Sequence, residues 1–161
     1  MIKKYLILIL LSLIFNTSIF AASNDDTSSK VNDYLKASNL IKAAKKYEKK
    51  GKIEKAQKRY EKAQKLLLKS NKEKPLQADT LNYLGFTTRK LGDYKKGEEY
   101  YLLGLKIEPN HKGINEYLGE LYVVTNRIDL ANKRLDVLKN CNCEEYNDLK
   151  EIIEGTKKSK Y

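Results

Sequence analysis

The sequence predicts an all-α solenoid of three helical hairpins closed by a capping helix, and three observations carry that expectation. Leu84, Gly85, Thr88, Gly97, Tyr101, Gly104 and Pro109 mark slots that read Leu118, Gly119, Tyr122, Ala131, Leu135, Leu138 and Cys143 exactly one 34-residue step later. An earlier set, Leu40, Ala43, Ala44, Tyr47, Gly51, Ala56, Tyr60 and Ala63, matches Leu81, Leu84, Gly85, Thr88, Gly92, Gly97, Tyr101 and Gly104 at an offset of 41. After the last set, Glu144 to Glu154 carries Tyr146, Leu149, Ile152 and Ile153 at helical spacing among acidic residues. A fixed period in this range means one supersecondary unit repeated, each copy burying its apolar face on the next.

The chain begins with Lys3 and Lys4 before the apolar run Tyr5 to Phe15, followed by polar Asn16 to Ser18 and small Ala21, Ala22 and Ser23. A positive start, a short apolar stretch and small residues make a secretory signal, read over 1–22, with the cut fitting best after Ala21 or Ser23. The expected location is periplasmic or secreted. The alternative is a membrane anchor left by an uncleaved signal, for which the apolar run falls short of the ~20 residues a span needs. Residues 23–30 are polar and read as a flexible leader, with helical periodicity starting near Val31.

The helical domain is expected over 31–155, with repeats at about 37–77, 78–111 and 112–143, a cap at 144–155 and a basic, frayed tail at 156–161. Within a hairpin, Gly85 and Gly119 on the first helix face Gly97 and Ala131 on the second. Small residues let the backbones approach while Leu84, Leu118, Tyr101 and Leu135 fill the space beside them. Gly92 and Asn126 lie between the helices at equivalent positions and suit a left-handed turn. Pro75 precedes Pro109 by 34 residues although the slots up to Ala63 are displaced by 41. Seven extra residues therefore fall in Gln64 to Lys74, so the second helix of the first hairpin should overshoot by about two turns, roughly 10 Å, and stop at Pro75.

Net charge is +11, and it is concentrated: residues 36–74 hold fifteen Lys and Arg against four acids, whereas 75–161 hold fourteen of each. The basic field belongs to the first hairpin. It reads as a solvated face or as a weak contact for anionic surfaces or an acidic protein; nucleic acid is not expected for an exported chain. Cys141 and Cys143 are a candidate disulfide in an oxidising compartment, with a structural pair, a redox-active pair and a metal site all open as readings. The metal reading lacks nearby ligands, because the sole histidine, His111, falls in the preceding turn beside Asn110, the expected helix cap. No phosphate loop, nucleophile with its base, or acid–base pair is visible, so neither enzyme activity nor a cofactor is expected.

The pattern Leu-Gly-x-x-Tyr, small-x-x-x-aromatic, small, Pro resembles the tetratricopeptide repeat (TPR), and the resemblance covers Ala37 to Cys143. Glu116 to Tyr122, followed by Cys141, Cys143 and the Glu-Glu-Tyr of Glu144 to Tyr146, further resembles exported proteobacterial TPR proteins with a C-terminal cysteine pair. This resemblance implies a right-handed superhelix whose concave groove takes a protein or peptide partner. Transferred to this chain, the groove slots are Ser38, Ile41, Lys45, Glu48 and Lys49, then Asp79, Asn82, Phe86, Arg89 and Lys90, then Glu116, Glu120, Val123 and Val124. Asn82 suits a partner backbone, Phe86 and Val123 apolar side chains, Arg89 or Lys90 a carboxylate, and Glu116 and Glu120 a basic residue. The same opposite charges also suit pairing with one another across the groove, and both readings stand. The implied function is a non-enzymatic periplasmic scaffold or adaptor, with a redox or metal-handling role for Cys141 and Cys143 as the alternative.

Overall fold

The computed structural model describes the backbone of residues 25–159 and the side chains of residues 33–159. The expected signal segment 1–22 lies outside the described residues. Among the described residues seven helices follow one another: α1 (Asp25–Lys49), α2 (Ile53–Glu73), α3 (Ala78–Lys90), α4 (Tyr94–Ile107), α5 (Lys112–Val124), α6 (Ile128–Leu138) and α7 (Glu144–Ile153). There is no strand among the described residues. α1 with α2, α3 with α4 and α5 with α6 form hairpins, each stacks on the next, and α7 closes the end against α5 and α6. The all-α stack of three hairpins and a cap is the architecture the repeat requires.

Each hairpin turns in the same way, which explains the residues at its tip. Gly51, Gly92 and Asn126 have φ of 68°, 98° and 58°. At each tip the next residue's N–H reaches the carbonyl five back: Lys52 to Tyr47 at 2.9 Å, Asp93 to Thr88 at 3.1 Å and Arg127 to Tyr122 at 2.7 Å. This pairing satisfies carbonyls that the ending helix leaves open, and it needs a left-handed residue that glycine or asparagine supplies at low cost.

α2 has 21 residues against 14 in α4, and it ends at Glu73 with Lys74 as cap, immediately before Pro75. The following Leu76 has φ of 59°, a left-handed backbone on a branched apolar side chain that is exposed.

Close helix contacts sit where the small residues recur. A methyl group on Gly85 would collide with the buried Tyr101 ring, and one on Gly97 would stand 3.1 Å from the Gly85 carbonyl. In the last repeat the arrangement differs from the expected one. Leu149 of α7, not Leu135, fills the space beside Gly119, with its Cδ2 2.5 Å from where a Cβ would be. A terminal repeat has no successor, so its cap supplies the missing apolar side chain.

Two further expectations change. α1 starts at Asp25 rather than near Val31, so most of the leader expected at 23–30 is helical. The cap of α5 is His111, whose Nδ1 accepts from the Ile114 N–H at 3.1 Å, and not Asn110. Asn110 is used inside a turn closed by the His111 N–H on the Glu108 carbonyl at 3.1 Å, with Pro109 ahead of it.

Most buried apolar side chains among the described residues gather in two clusters. One gathers Ala37, Ile41, Ala44, Tyr60, Leu67, Leu81, Leu84 and Phe86 between the first two hairpins. The other gathers Tyr101, Leu105, Ile114, Leu118, Leu121, Tyr122 and Ala131, and Tyr117 packs against both.

Candidate partner-binding groove

Three-and-four spacing puts Asn82, Phe86 and Arg89 on one stripe of α3, and the same spacing one repeat on puts Glu116, Glu120 and Val123 on one stripe of α5. Across from them α1 offers Lys45 and Glu48. The structure brings most of these residues together.

Phe86 is at the centre. Its ring centroid lies 5.7 Å from Tyr60 in an edge contact and 5.1 Å from Tyr117, and the Lys45 ammonium stands 4.5 Å from its centroid. Lys45 Nζ also donates to the Tyr117 hydroxyl at 3.0 Å. An ammonium over an aromatic face is held by the ring quadrupole, and the hydroxyl fixes where along the face it rests.

Arg89 lies beside this aromatic set. Its Nη1 donates to the Tyr117 carbonyl, and its Nη2 stands 3.4 Å from Glu120 Oε2, with both side chains fully buried. Burial pulls the Arg89 guanidinium below its ordinary pKa, while Tyr101, Glu120, Tyr117 and Glu116 act in the opposite direction. Burial likewise pushes the Tyr101 hydroxyl well up. One buried cation thus faces two buried acids.

Lys90 pairs with Glu48 of α1, which also accepts from the Tyr60 hydroxyl at 2.8 Å. Burial and this hydrogen bond push Tyr60 well above the usual phenol range. Asp79 stands apart from the rest. Its exposed carboxylate meets His111 Nε2 at 3.1 Å, so it braces the start of α5 at the lip of the groove. Since Nδ1 accepts from Ile114, the proton sits on Nε2 and is donated to Asp79.

Asn82 is buried, and its Oδ1 has no hydrogen-bond partner among the described residues. Val123 is partly buried against the second apolar cluster. Tyr117 is the groove residue that slot-by-slot transfer misses. It recurs from Tyr83 at the repeat period, and that recurrence was a usable signal.

Cys141 and Cys143 are bonded to each other, with Cα atoms 5.2 Å apart, and Cys143 is the cap residue of α7. Between them Asn142 has φ of 46°. No group of three or more His, Cys, Asp or Glu side chains is placed to hold a metal ion among the described residues. No helix among them is long and apolar enough to cross a membrane. Of the fifteen basic residues in 36–74, all but Lys45 and Arg59 are exposed.

No family model matches the chain. It is 40% identical over 73 residues to the Sol locus transcriptional repressor of Clostridium acetobutylicum, a match that takes in 43% of this chain. The chain spans about a quarter, 23%, of the length of that relative. Two solved structures share the fold. The first TPR of Spaghetti (RPAP3), bound to an HSP90 peptide, superposes with a TM-score of 0.52 at 20% identity, covering 76% of this chain and 94% of the other. The first TPR domain of human RPAP3 gives 0.54 at 20% identity, covering 78% and 98%. The fold is that of TPR domains.

Proposed function

We propose that this chain is a non-enzymatic scaffold or adaptor that binds a protein or peptide partner along the stripes of α1, α3 and α5, and that it works after export, in the assembly of the cell envelope. The likeness to a TPR domain that holds a peptide supports the class of function. One observation carries the location: Asn82 Oδ1, buried and without a partner among the described residues, sits one turn from Phe86 on the stripe that lines the groove. A buried acceptor left open costs free energy that a partner's backbone N–H recovers. Asp79, Lys90, Glu116, Glu120 and Val123 complete the proposed contact line around Phe86 and Arg89. Export rests on the pattern of residues 3–23, and membership of the proteobacterial group with a cysteine pair rests on Glu116 to Tyr146. The exposed lysines of α1 and α2 give a weak secondary contact for anionic surfaces.

A photo-crosslinking residue at Val123, compared with one at exposed Lys106 on α4, tests the location in cells of the source organism. Capture of one defined partner at position 123 alone, weakened by Asn82→Ala, supports the groove; equal capture at both positions counts against it. The bonded Cys141 and Cys143 favour a second reading, dithiol exchange. Unchanged cell growth and partner capture after both are changed to Ser removes it.

A further inference from the structure

The residues at the centre of the groove are enclosed. Phe86, Arg89, Glu116 and Glu120 are 0%, 1%, 4% and 0% exposed, although they sit on the stripe that a solenoid normally opens to solvent. Part of the cover comes from the segment after α7, which the sequence suggests should fray.

That segment reverses direction at Gly155, with φ of 73° and its N–H on the Ile152 carbonyl at 3.2 Å. The Thr156 and Lys157 N–H groups then both donate to the Glu151 carbonyl, at 2.9 and 3.1 Å, and the Thr156 hydroxyl adds a third bond at 3.1 Å. The turn sends the chain back along α7 instead of away from it. Lys157 Nζ pairs with buried Asp148 and stands 3.7 Å from Glu151. Two residues on, the Ser159 hydroxyl donates to Glu120 Oε2 at 3.5 Å, the same oxygen that faces Arg89. The turn and the Lys157 ion pairs thus hold the segment on α7, and the Ser159 hydroxyl links it to the buried ion pair of the groove.

We propose that the segment Gly155 to Ser159 is an internal ligand of the groove. It lies against Glu120 and Asp148, and a partner enters that end only by displacing it with a lysine-bearing stretch of its own. The chemistry follows from what is replaced: an ammonium on Asp148 and a hydroxyl on Glu120, beside a second carboxylate. Displacement is feasible because partly exposed ion pairs hold weakly one by one. Tethering gives the segment a high local concentration, so it competes well with a free peptide that makes the same contacts. If the segment is seated in ~90–99% of molecules, its release raises the affinity for a free competitor by roughly 10- to 100-fold.

The inference rests on the reading of this face as a partner site, and a probe needing no partner separates the two. A fluorescent peptide with the sequence of residues 155–161 is titrated into the full chain, into Lys157→Glu and into Lys158→Glu, whose exposed side chain makes none of these contacts. The peptide should bind Lys157→Glu at least about tenfold more tightly than the other two, less tightly as salt rises, and the amide resonances of Glu116 and Glu120 should shift in that variant. Gly155→Val provides a second release that leaves the charges alone. A Cβ there meets nothing within 4 Å, so the strain falls on the left-handed turn. It should give the same gain. Equal affinity for all four proteins, or binding to none, overturns the proposal. Capture of a partner at Val123 that is identical in the full chain and in Lys157→Glu also overturns it while leaving the scaffold reading intact. Peptide binding without any captured partner does the reverse.

Discussion

Arg127 grips Glu98 with both arms of its guanidinium, Nη1 to Oε1 at 2.9 Å and Nη2 to Oε2 at 2.7 Å, and so joins the start of α6 to α4 across the repeat boundary. Its Nε donates to the Thr125 hydroxyl at 2.9 Å, and the guanidinium carbon lies 4.5 Å from the Tyr122 ring centroid. The fork is planar and preset, which a lysine cannot reproduce.

Arg127→Lys should therefore lose most of what Arg127→Ala loses, about 1 kcal/mol for a partly exposed pair. A double-mutant cycle with Glu98→Ala, followed by urea unfolding, measures the coupling. Full retention by lysine would mean that only charge matters.

Gly85 and Gly119 occupy equivalent slots but face different neighbours. Gly85→Ala drives a methyl into the buried Tyr101 ring, which has no room to retreat, and should destabilise by about 1–3 kcal/mol. Gly119→Ala meets only the flexible tip of Leu149 on the outermost helix, and alanine's helix propensity offsets the crowding. Its expected cost is within about 1 kcal/mol of zero. Thermal melts of the two variants decide; the reverse order would refute the packing described for the last repeat.

The buried Arg89 and Glu120 should show strong non-additivity. Removing either alone leaves the other charge buried with fewer counter-charges, at a cost of about 3–5 kcal/mol. Arg89→Met with Glu120→Leu should cost less than either single change. Additive losses in chemical denaturation would show that the two do not act as a pair.

Tyr60 and Tyr101 give the fold an alkaline limit. Their folded pKa values are raised above the ordinary phenol value of about 10, so the folded state keeps protons that the unfolded state releases. Their contribution is complete below about pH 10 and is lost as pH rises toward the folded values. Stability measured from pH 8 to 11 should fall from about pH 10, and Tyr60→Phe with Tyr101→Phe should flatten the fall. A flat profile in the parent chain would contradict the burial of these hydroxyls.

The repeat itself was legible because helix packing imposes small residues and turn formers at fixed intervals. Gly51, Gly92 and Asn126 had to be left-handed, and seven surplus residues before Pro75 had to lengthen α2. What sequence could not show depends on contacts between distant parts of the chain. Leu149 at Gly119 lies across the stack end, 30 residues away, and its role follows from how α7 docks. His111 replaced Asn110 as cap because the proline turn claimed Asn110, a competition between two local preferences that each residue satisfies alone. The groove slots could be listed, but their degree of enclosure depends on contacts between distant residues, such as Lys45 with Tyr117 and Ser159 with Glu120. Tyr117 was within reach, since Tyr83 stands one period earlier.

α3 contributes Leu81, Leu84 and Phe86 to one apolar cluster, while its Ala78 belongs to the other and Tyr101 of the second cluster packs on its Gly85. Either flanking hairpin can therefore assemble from nearby sequence first, and the docking of this one helix is the event that makes the two halves cooperate. A chain built from such short-range pairings has low contact order and should fold within milliseconds. Lesions in α3 should slow that step, whereas lesions in α7 should mainly hasten fraying from the far end.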